Sequence, residues 1–590
     1  MEGHLKRIIK TIDAQFGEGV GSVLLPSTKT VVLNKVSSLD AMYEVIVDGH
    51  VVGRLRFDIP KKDYTFVLSL EGGRRIATVS KQKWISCHDE VIQYLKNGAN
   101  LMVPGIAGCD EAIQDEDEVW LTDSGGKVIA VGVARMTGEQ MAQEPKGFAM
   151  KIREFSEATA AQINPKEATW DQAVQANSRD LLEIEREAIA FINGTTKSVR
   201  LPSVVGFSGG KDSLAVYLLV EKALGSSPPL FFMNTGLELP ETVEYVNRFA
   251  QARQAQLVSK DVGDKFWDSL GTFGPPARDF RWCCKVLKLG PAAAAIAESM
   301  GGETLAFMGQ RKLESFQRSV ESRITHNPWV PGQTSANPIQ SWNALEVWLY
   351  IFMEKTPFNP LYNRGYHRMG CYLCPASPLA EIESLHETHS SLYDRWTSAL
   401  SEWASTHGFP QEWVDFGFWR WKKIPRGQLD LIESMGLQIE PHRESQANQL
   451  ELNIVKGVSP CVASGYSLEG QFSSGLDIER VSRIMPIFGD TSLSEDLGAI
   501  RTKTGSGSIM IFSSGSVVVR GQREQDVDRV SAQLQRAVRR SVFCQACGSC
   551  IPKCEHSALH FDEGNRISVD PDKCIGCLKC DAWPCPTYLG

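Results

Sequence analysis

No stretch of about 18 consecutive apolar residues occurs in the sequence, so no membrane-spanning helix is expected. The opening residues, MEGHLKRIIKTIDAQF, lack the apolar core and the small-residue cleavage site of a secretory signal, and a cytoplasmic location is the expectation. An excess of basic charge is missing as well. The 590 residues carry a net charge of −8 and a pI near 5.9, so the chain as a whole does not advertise nucleic-acid binding, although a local basic patch stays open. Low-complexity tracts are absent. The length suits about three to five domains, each large enough to bury a core.

Cysteine, by contrast, is plentiful. There are 15, and eight of them, Cys544, Cys547, Cys550, Cys554, Cys574, Cys577, Cys580 and Cys585, lie in the tail. In a reducing compartment such density argues for metal rather than disulfides, and the odd total argues against a complete disulfide framework.

Periodicity divides the rest. Residues 1–75 read as an α+β domain, with helical spacing over Leu5–Phe16 and alternating strands at Tyr43–Val47 and Tyr64–Leu70. Residues 76–150 read as a small β-barrel of short strands, Glu118–Leu121 and Val128–Ala134 flanking a turn at Gly125–Gly126. The Ala-, Glu- and Gln-rich stretch from Phe155 to Ala190 reads as helical, giving a linker over 151–195. From 196 to 430 strand-like and helical runs alternate: Val204–Phe207 and Leu230–Met233 as buried parallel strands, Leu214–Glu221 and Thr242–Ala250 as helices. That is the pattern of an open α/β sheet. Residues 455–540 read as α+β, with a hairpin at Ser508–Phe512 and Ser516–Arg520 and a helix from about Glu524 to Arg540. Residues 541–590 hold too few apolar side chains for a core of their own and would need metal to organise them. The first 150 residues are expected to be separable from the nucleotide site, which begins far downstream.

The chemistry concentrates in three segments. VVGFSGGKDSLAVYLL places Ser208, Gly209, Gly210, Lys211, Asp212 and Ser213 between a strand and a helix. Glycines allow close backbone approach, and amides at a helix start hold phosphate oxygens. Lys211 is expected to be exposed and to add a mobile positive charge. Ser208 and Ser213 offer hydroxyls, and Asp212 would hold a divalent cation, Mg2+, or orient the loop. The GxxxxGK[ST] spacing is absent. A second segment, FFMNTGLELPET, offers Asn234, Thr235, Gly236 and Glu238 at the carboxyl end of the next strand. A third, GQRKLESFQRS, offers the guanidiniums of Arg311 and Arg318.

The loop resembles the SGGxDS loop of the PP-loop ATP-pyrophosphatase family. The second and third segments are similar to the phosphoadenylylsulfate (PAPS) and adenylylsulfate reductase branch of that family, with Asn234 standing where that branch carries an acidic residue. The resemblance covers roughly residues 200–385. It implies an adenine nucleotide alpha hydrolase-like fold and an ATP or sulfonucleotide ligand, with Lys211, Asp212 and Arg311 as catalytic groups.

Two cysteine pairs lie within this region, Cys283–Cys284 in RWCCKVLK and Cys371 with Cys374 in GCYLCP. Four thiolates suit zinc or a [4Fe–4S] cluster, and adjacent cysteines need a local backbone bend before both reach one centre. The CC…CxxC arrangement resembles the cluster motif of iron–sulfur adenylylsulfate reductases, which implies one [4Fe–4S] cluster with Lys285 beside it. The ECGxH-like segment that supplies the nucleophile of those reductases is absent, and the next cysteine, Cys461 in SPCVASGYS, lacks its flanks.

The tail reads CQACGSCIPKC and CIGCLKCDAWPCP. It resembles a bacterial-type ferredoxin with two cubanes, which implies one cluster on Cys544, Cys547, Cys550 and Cys585 and another on Cys554, Cys574, Cys577 and Cys580. Glu555 replaces the usual proline, and four residues rather than three separate Cys580 from Cys585. The resemblance implies electron transfer to or from the internal cluster or substrate, fed by an external electron donor. Through Gly98, Pro104, Gly105, Asp117, Val119, Gly126, Val131 and Gly132, the barrel resembles a PUA domain. That implies an RNA partner, with Lys96 and Arg135 near the RNA backbone and the acidic run Asp115–Glu118 opposing it. Residues 497–540 resemble a half-repeat of the TATA-box-binding protein fold, as a nucleic-acid contact or as a platform for the tail.

Three functions follow as expectations. The first is an enzyme that activates an RNA base with ATP and transfers sulfur to it, releasing pyrophosphate and AMP. The second is a sulfonucleotide reductase producing sulfite with electrons from the tail. The third is a non-catalytic, redox-sensing binding protein.

Overall fold

The computed structural model describes residues 2–158, 166–439, 450–458 and 466–588. Cys461 lies outside the described residues. The architecture is α/β, and among the described residues no helix is long and apolar enough to cross a membrane.

The N-terminal unit is an antiparallel four-stranded sheet, Val31–Lys35, Met42–Val47, His50–Asp58 and Asp63–Leu68 in that order. Alternation buries Tyr43, Val45 and Val47, and Val45 and Val47 join Ile8, Ile12 and Phe16 of the helix Glu2–Phe16 in one core. The last strand stops at Leu68, short of the expected Leu70. There Ser69 turns the chain and caps the helix Leu70–Ile76, its hydroxyl accepting from the Gly72 amide at 3.1 Å.

The barrel is a six-stranded sheet ordered Leu101–Met102, Phe148–Phe155, Val128–Ala134, Glu118–Thr122, Trp84–Cys87, Ile106–Cys109. Its strand Phe148–Phe155 pairs with Val128–Ala134 as far as Phe155, so helix does not begin there. Among the described residues it begins at Trp170, where Thr169 and Gln172 form a reciprocal cap.

The core sheet is ordered Leu257–Asp261, Leu230–Asn234, Ser203–Gly206, Thr304–Phe307, Gln333–Ala336, Ile324–His326. The first five strands are parallel and the sixth is an antiparallel edge. The strand that comes first in the chain lies inside the sheet. Later strands are added on one side of it and then on the other, so the order reverses between Ser203–Gly206 and Thr304–Phe307. Loops that leave the carboxyl ends of these two strands diverge and open a crevice.

The C-terminal unit is an antiparallel six-stranded sheet crossed by the helix Glu524–Phe543. The tail has too few apolar side chains for a core of its own, and among the described residues its hairpin packs on the unit before it. Leu559, Ile567 and Val569 of its hairpin share one apolar cluster with Met485, Ile487, Leu534 and Val538 of the preceding unit. The hairpin is a lid on an existing core rather than a core of its own.

The first 150 residues are in contact with the nucleotide domain. Asp40 accepts from the Leu379 and Ala380 amides at 2.8 and 3.0 Å and pairs with Arg420 at 2.9 Å, both ionic side chains having no solvent exposure. Ala41, Tyr43, Phe57 and Ile59 pack on Leu379 and Ala380. The barrel is tied to the same frame through Glu118, which accepts from the Leu68 amide and pairs with Arg153 at 2.6 Å.

Candidate nucleotide site and cysteine centres

The phosphate loop leaves the strand Ser203–Gly206 and enters the helix Lys211–Leu224. Gly209 has φ +72°, and a Cβ there would press on Thr242 and Val246 at 3.1 and 3.2 Å. Gly210 is the cap residue, with no side chain to occupy the helix N-terminus. Ser213 donates to the Gly210 carbonyl at 2.9 Å and accepts from the Ser208 amide at 3.2 Å, which holds the loop closed on itself. Tyr362, buried, accepts from the Lys211 amide at 2.8 Å. Tyr362 comes from a segment 151 residues downstream and was not among the expected site residues.

Lys211 was expected at the surface and is instead 8% exposed. Its Nζ lies 2.5 Å from Asp212 Oδ2, while Arg311 Nε lies 2.6 Å from Asp212 Oδ1. One carboxylate therefore gathers two cations at the head of the loop. Gly309 makes this possible, because a Cβ there would lie 2.7 Å from the Asp212 carbonyl carbon. Arg318 reaches back to Glu314 instead, and it is partly exposed.

On the neighbouring strand, Asn234 donates to Asp261 at 2.9 Å and accepts from the Gly236 amide at 3.2 Å. Gly236 has φ +72° and lies against the Gly263 carbonyl. Glu238 accepts from both the amide and the hydroxyl of Thr235, at 2.8 and 2.9 Å. The Thr235 hydroxyl lies 3.5 Å from Cys371 Sγ, Glu238 bridges Cys371 in the backbone, and the Tyr372 amide donates to the Leu237 carbonyl at 2.8 Å. The nucleotide-edge turn and the CxxC loop are thus one structure. A cavity lined by Thr242, Arg368, Met369, Cys371 and Glu381 lies beside them.

Cys283 and Cys284 sit in the short helix Trp282–Cys284, which runs into a π-helical turn, Lys285–Leu289, and then the helix Gly290–Ser299. The wide turn is the bend that an adjacent pair requires. Burial pushes the Cys371 thiol up to about 12, and the Glu238 carboxylate adds to it. The hydrogen bond from Cys283 holds Cys284 down at about 6, with Lys288, Arg281 and Lys285 assisting, and pushes Cys283 up. Cys371 and Cys374 act electrostatically on Cys283, so the two pairs face each other. Lys285, the cation expected beside the pair, lies over the Trp329 ring at 4.6 Å. Lys288 lowers both Cys284 and Cys371 and so serves both pairs, a role its exposed helical position did not signal.

In the tail the two cysteine runs repeat one backbone device. The residues on either side of the middle cysteine have positive φ in both: Ala546 (46°) and Gly548 (83°) around Cys547, Gly576 (67°) and Leu578 (57°) around Cys577. Ala546 and Leu578 adopt a conformation that non-glycine residues seldom take. Such turns aim successive amides into a concavity suited to an anionic cluster. The Ala546 amide donates to Cys544 Sγ at 3.4 Å and the Ala558 amide to Cys554 Sγ at 3.3 Å. Burial raises Cys544 and Cys580, each to about 11. The charge of Cys585 raises Cys544, Cys547 and Cys550, and those of Cys574 and Cys554 raise Cys580. Arg540, only 2% exposed, acts on both Cys550 and Cys580.

Among the described residues no three His, Cys, Asp or Glu side chains converge as ligands of a single ion. Zinc would draw four sulfurs to about 2.3 Å from one point. A four-iron cube puts each thiolate on its own iron and asks for a wider spacing. The donor sets, all thiol and grouped in fours, fit the cube.

In the barrel, Glu116 pairs with Arg135, Asp117 with Lys83 and Glu118 with Arg153, so the acidic run is largely neutralised by neighbouring cations. Lys96 pairs with Glu157 at 3.1 Å and stays exposed.

A family model for the phosphoadenosine phosphosulfate reductase domain matches residues 202–377, and one for the PUA domain matches residues 83–155. The uncharacterized protein MJ0066 of Methanocaldococcus jannaschii is 34% identical over 422 residues, which span 70% of this chain and 87% of that protein. The adenosine 5'-phosphosulfate reductase of Allochromatium vinosum is 33% identical over 160 residues, 25% of this chain and 57% of that enzyme. The structure of the phosphoadenylyl-sulfate (PAPS) reductase of Candida auris, in a phosphate complex, aligns at 18% identity over 36% of this chain and 98% of that chain, with a TM-score of 0.25.

Proposed function

We propose, on the premise that the chain belongs to the family of the uncharacterized protein MJ0066 and carries a phosphoadenosine phosphosulfate reductase domain, that it is an iron–sulfur PP-loop enzyme that reductively cleaves a sulfonucleotide. The observation that supports this reading is the 3.5 Å approach of Thr235 Oγ1 to Cys371 Sγ, which brings one cysteine of the internal set against the proposed nucleotide edge. A [4Fe–4S] group on Cys283, Cys284, Cys371 and Cys374 would supply localised charge, and the tail groups would supply one-electron transfer. The loop amides from Ser208 to Ser213, with Lys211 and Arg311, hold the anionic end of the nucleotide, and Asp212 keeps both cations in place until phosphate competes for them. The reaction consumes two electrons. They enter the S–O bond, the sulfonate leaves as sulfite, and the nucleotide keeps its phosphate.

A second reading, transfer of sulfur to an ATP-activated RNA base, is favoured by the PUA domain and by the rigid frame that joins it to the core through Glu118 and Asp40. One anaerobic experiment separates the two. The purified chain is given adenylylsulfate or phosphoadenylylsulfate with a one-electron reductant, and separately ATP with RNA. Sulfite release without RNA supports reductive cleavage. RNA-dependent pyrophosphate release without sulfite overturns it in favour of thiolation, and silence in both assays leaves a redox-sensing binding protein.

A further inference from the structure

We propose that the core domain carries a dock for the first cysteine loop of the tail, so that the three thiol sets stand in a fixed series. Cys554, Cys574, Cys577 and Cys580 are outermost, Cys544, Cys547, Cys550 and Cys585 lie between, and Cys283, Cys284, Cys371 and Cys374 are innermost. This rests on the reading that all three sets hold [4Fe–4S] clusters.

The dock is built from the two helices that flank the Cys283–Cys284 turn. Gly290, the residue that follows the π-helical turn, touches the tail directly: a Cβ at this position would lie 2.4 Å from the Cys547 carbonyl oxygen and 2.8 Å from Cys547 Cβ. Glycine is therefore required by the approach of the tail, since its own backbone is ordinary helix. Gly548 returns the fit, its missing Cβ falling 3.3 Å from Ala294 Cβ. On the other side, Lys265 Nζ donates to the Ala546 carbonyl at 3.1 Å. The Ser269 hydroxyl, in a residue with no solvent exposure, donates to Gln545 Oε1 at 3.0 Å, and Gln545 Nε2 donates to Thr272 Oγ1 at 3.4 Å. Every residue from Gln545 to Gly548 thus engages the core domain.

The contact falls on the residues that carry the thiols, which an ordinary domain interface would have no reason to do. Cys547 packs in the apolar cluster that contains Cys283, Cys284 and Cys371, whereas Cys544, Cys550, Cys554, Cys574 and Cys580 pack in the cluster of the C-terminal unit. Cys547 is accordingly the tail's point of entry into the nucleotide domain. At the far end, Cys577 is exposed and Ile575 beside it is 66% exposed, so the outermost set faces solvent. Clusters on these sets would pass electrons inward one at a time, the donor protein being oxidised at the outermost set and each set reoxidised as the next takes the electron. Two passages supply one two-electron cleavage.

The test uses the full chain, reconstituted anaerobically, with dithionite as the electron source. The wild type should hold about twelve irons in three clusters. Its fully reduced electron paramagnetic resonance spectrum should show magnetic interaction between the innermost and middle centres, and freeze-quenching should find the electron arriving inward after the outer set. Gly290→Val should keep the iron and lose that interaction, with arrival at the innermost centre slowed more than tenfold. Ser269→Ala adds no bulk and serves if Gly290→Val fails to fold; its effect should be smaller and in the same direction. An uncoupled wild-type spectrum, or unchanged coupling and arrival in the variants at full iron content, would overturn the dock. A wild type that binds about four irons would instead overturn the cluster reading, and the series with it.

Discussion

Arg311 and Asp212, 99 residues apart in the chain, meet across the reversal point of the core sheet with Nε 2.6 Å from Oδ1. Asp212 opens the helix after Ser203–Gly206, and Arg311 follows the strand Thr304–Phe307 on the other side of the crevice. Lys211 shares the same carboxylate. Both cations are nearly buried and pre-oriented, so little side-chain freedom is lost when a phosphate replaces the carboxylate as their partner.

Lys211→Ala should therefore weaken nucleotide binding without unfolding the domain, since Arg311 still neutralises Asp212. A hydrogen bond to a charged group contributes about 1.5–3 kcal/mol, which corresponds to roughly a 10- to 100-fold rise in Kd. Anaerobic calorimetry with the sulfonucleotide checks this, and an unaltered Kd would remove Lys211 from the site.

Cys371→Ser should lower iron from about twelve atoms to about eight while the tail signals persist. Nucleotide affinity should survive in part, because the loop from Ser208 to Ser213 belongs to a different strand and is held closed by its own hydrogen bonds. Iron analysis with Mössbauer spectroscopy decides it: full iron in the variant would show that Cys371 is no ligand.

Arg540→Leu should shift both tail centres to lower potential. A buried cation beside Cys550 and Cys580 favours the reduced, more negative cluster state, so its removal disfavours reduction. A shift on the order of 60 mV would be a tenfold change for a one-electron couple. Redox titration followed by electron paramagnetic resonance should show two moved midpoints and one unmoved. Movement of the innermost centre alone would contradict the placement.

Asp40→Ala should cost about 3–5 kcal/mol, since it leaves Arg420 buried without its carboxylate partner and uncaps the helix Leu379–Thr388. The same argument predicts that removing residues 1–150 lowers the Tm of the nucleotide domain. Scanning calorimetry of the point variant is the cleaner measurement, and a Tm equal to wild type would mean that the frame is not coupled to the core.

The local features were legible in the sequence because their causes are local. VVGF, then Ser208 to Ser213, then LAVYLL is a strand, a turn and a helix in one contiguous run, and periodicity with glycine placement suffices to read it. Likewise the spacing of the tail cysteines expresses the geometry of one short loop, and the hairpin and helix from Gly507 to Phe543 follow from alternation giving way to a helical period. Limits read from composition alone were less secure. The helix expected from Phe155 yields to a barrel strand whose partner, Val128–Ala134, lies some distance upstream.

By itself, then, the sequence determined the α/β core, the phosphate loop and the grouping of tail cysteines, since each depends on neighbours in the chain. Only the tertiary structure decided that Lys211 is buried, that Asp212 faces Arg311, that Thr235 touches Cys371, that Arg540 acts on both Cys550 and Cys580, and that Gly290 receives Cys547. Each of these follows from strand order or from how units pack. Chain-distant residues become neighbours there through backbone paths that no local pattern records, and side chains are placed by the burial of surfaces far from themselves.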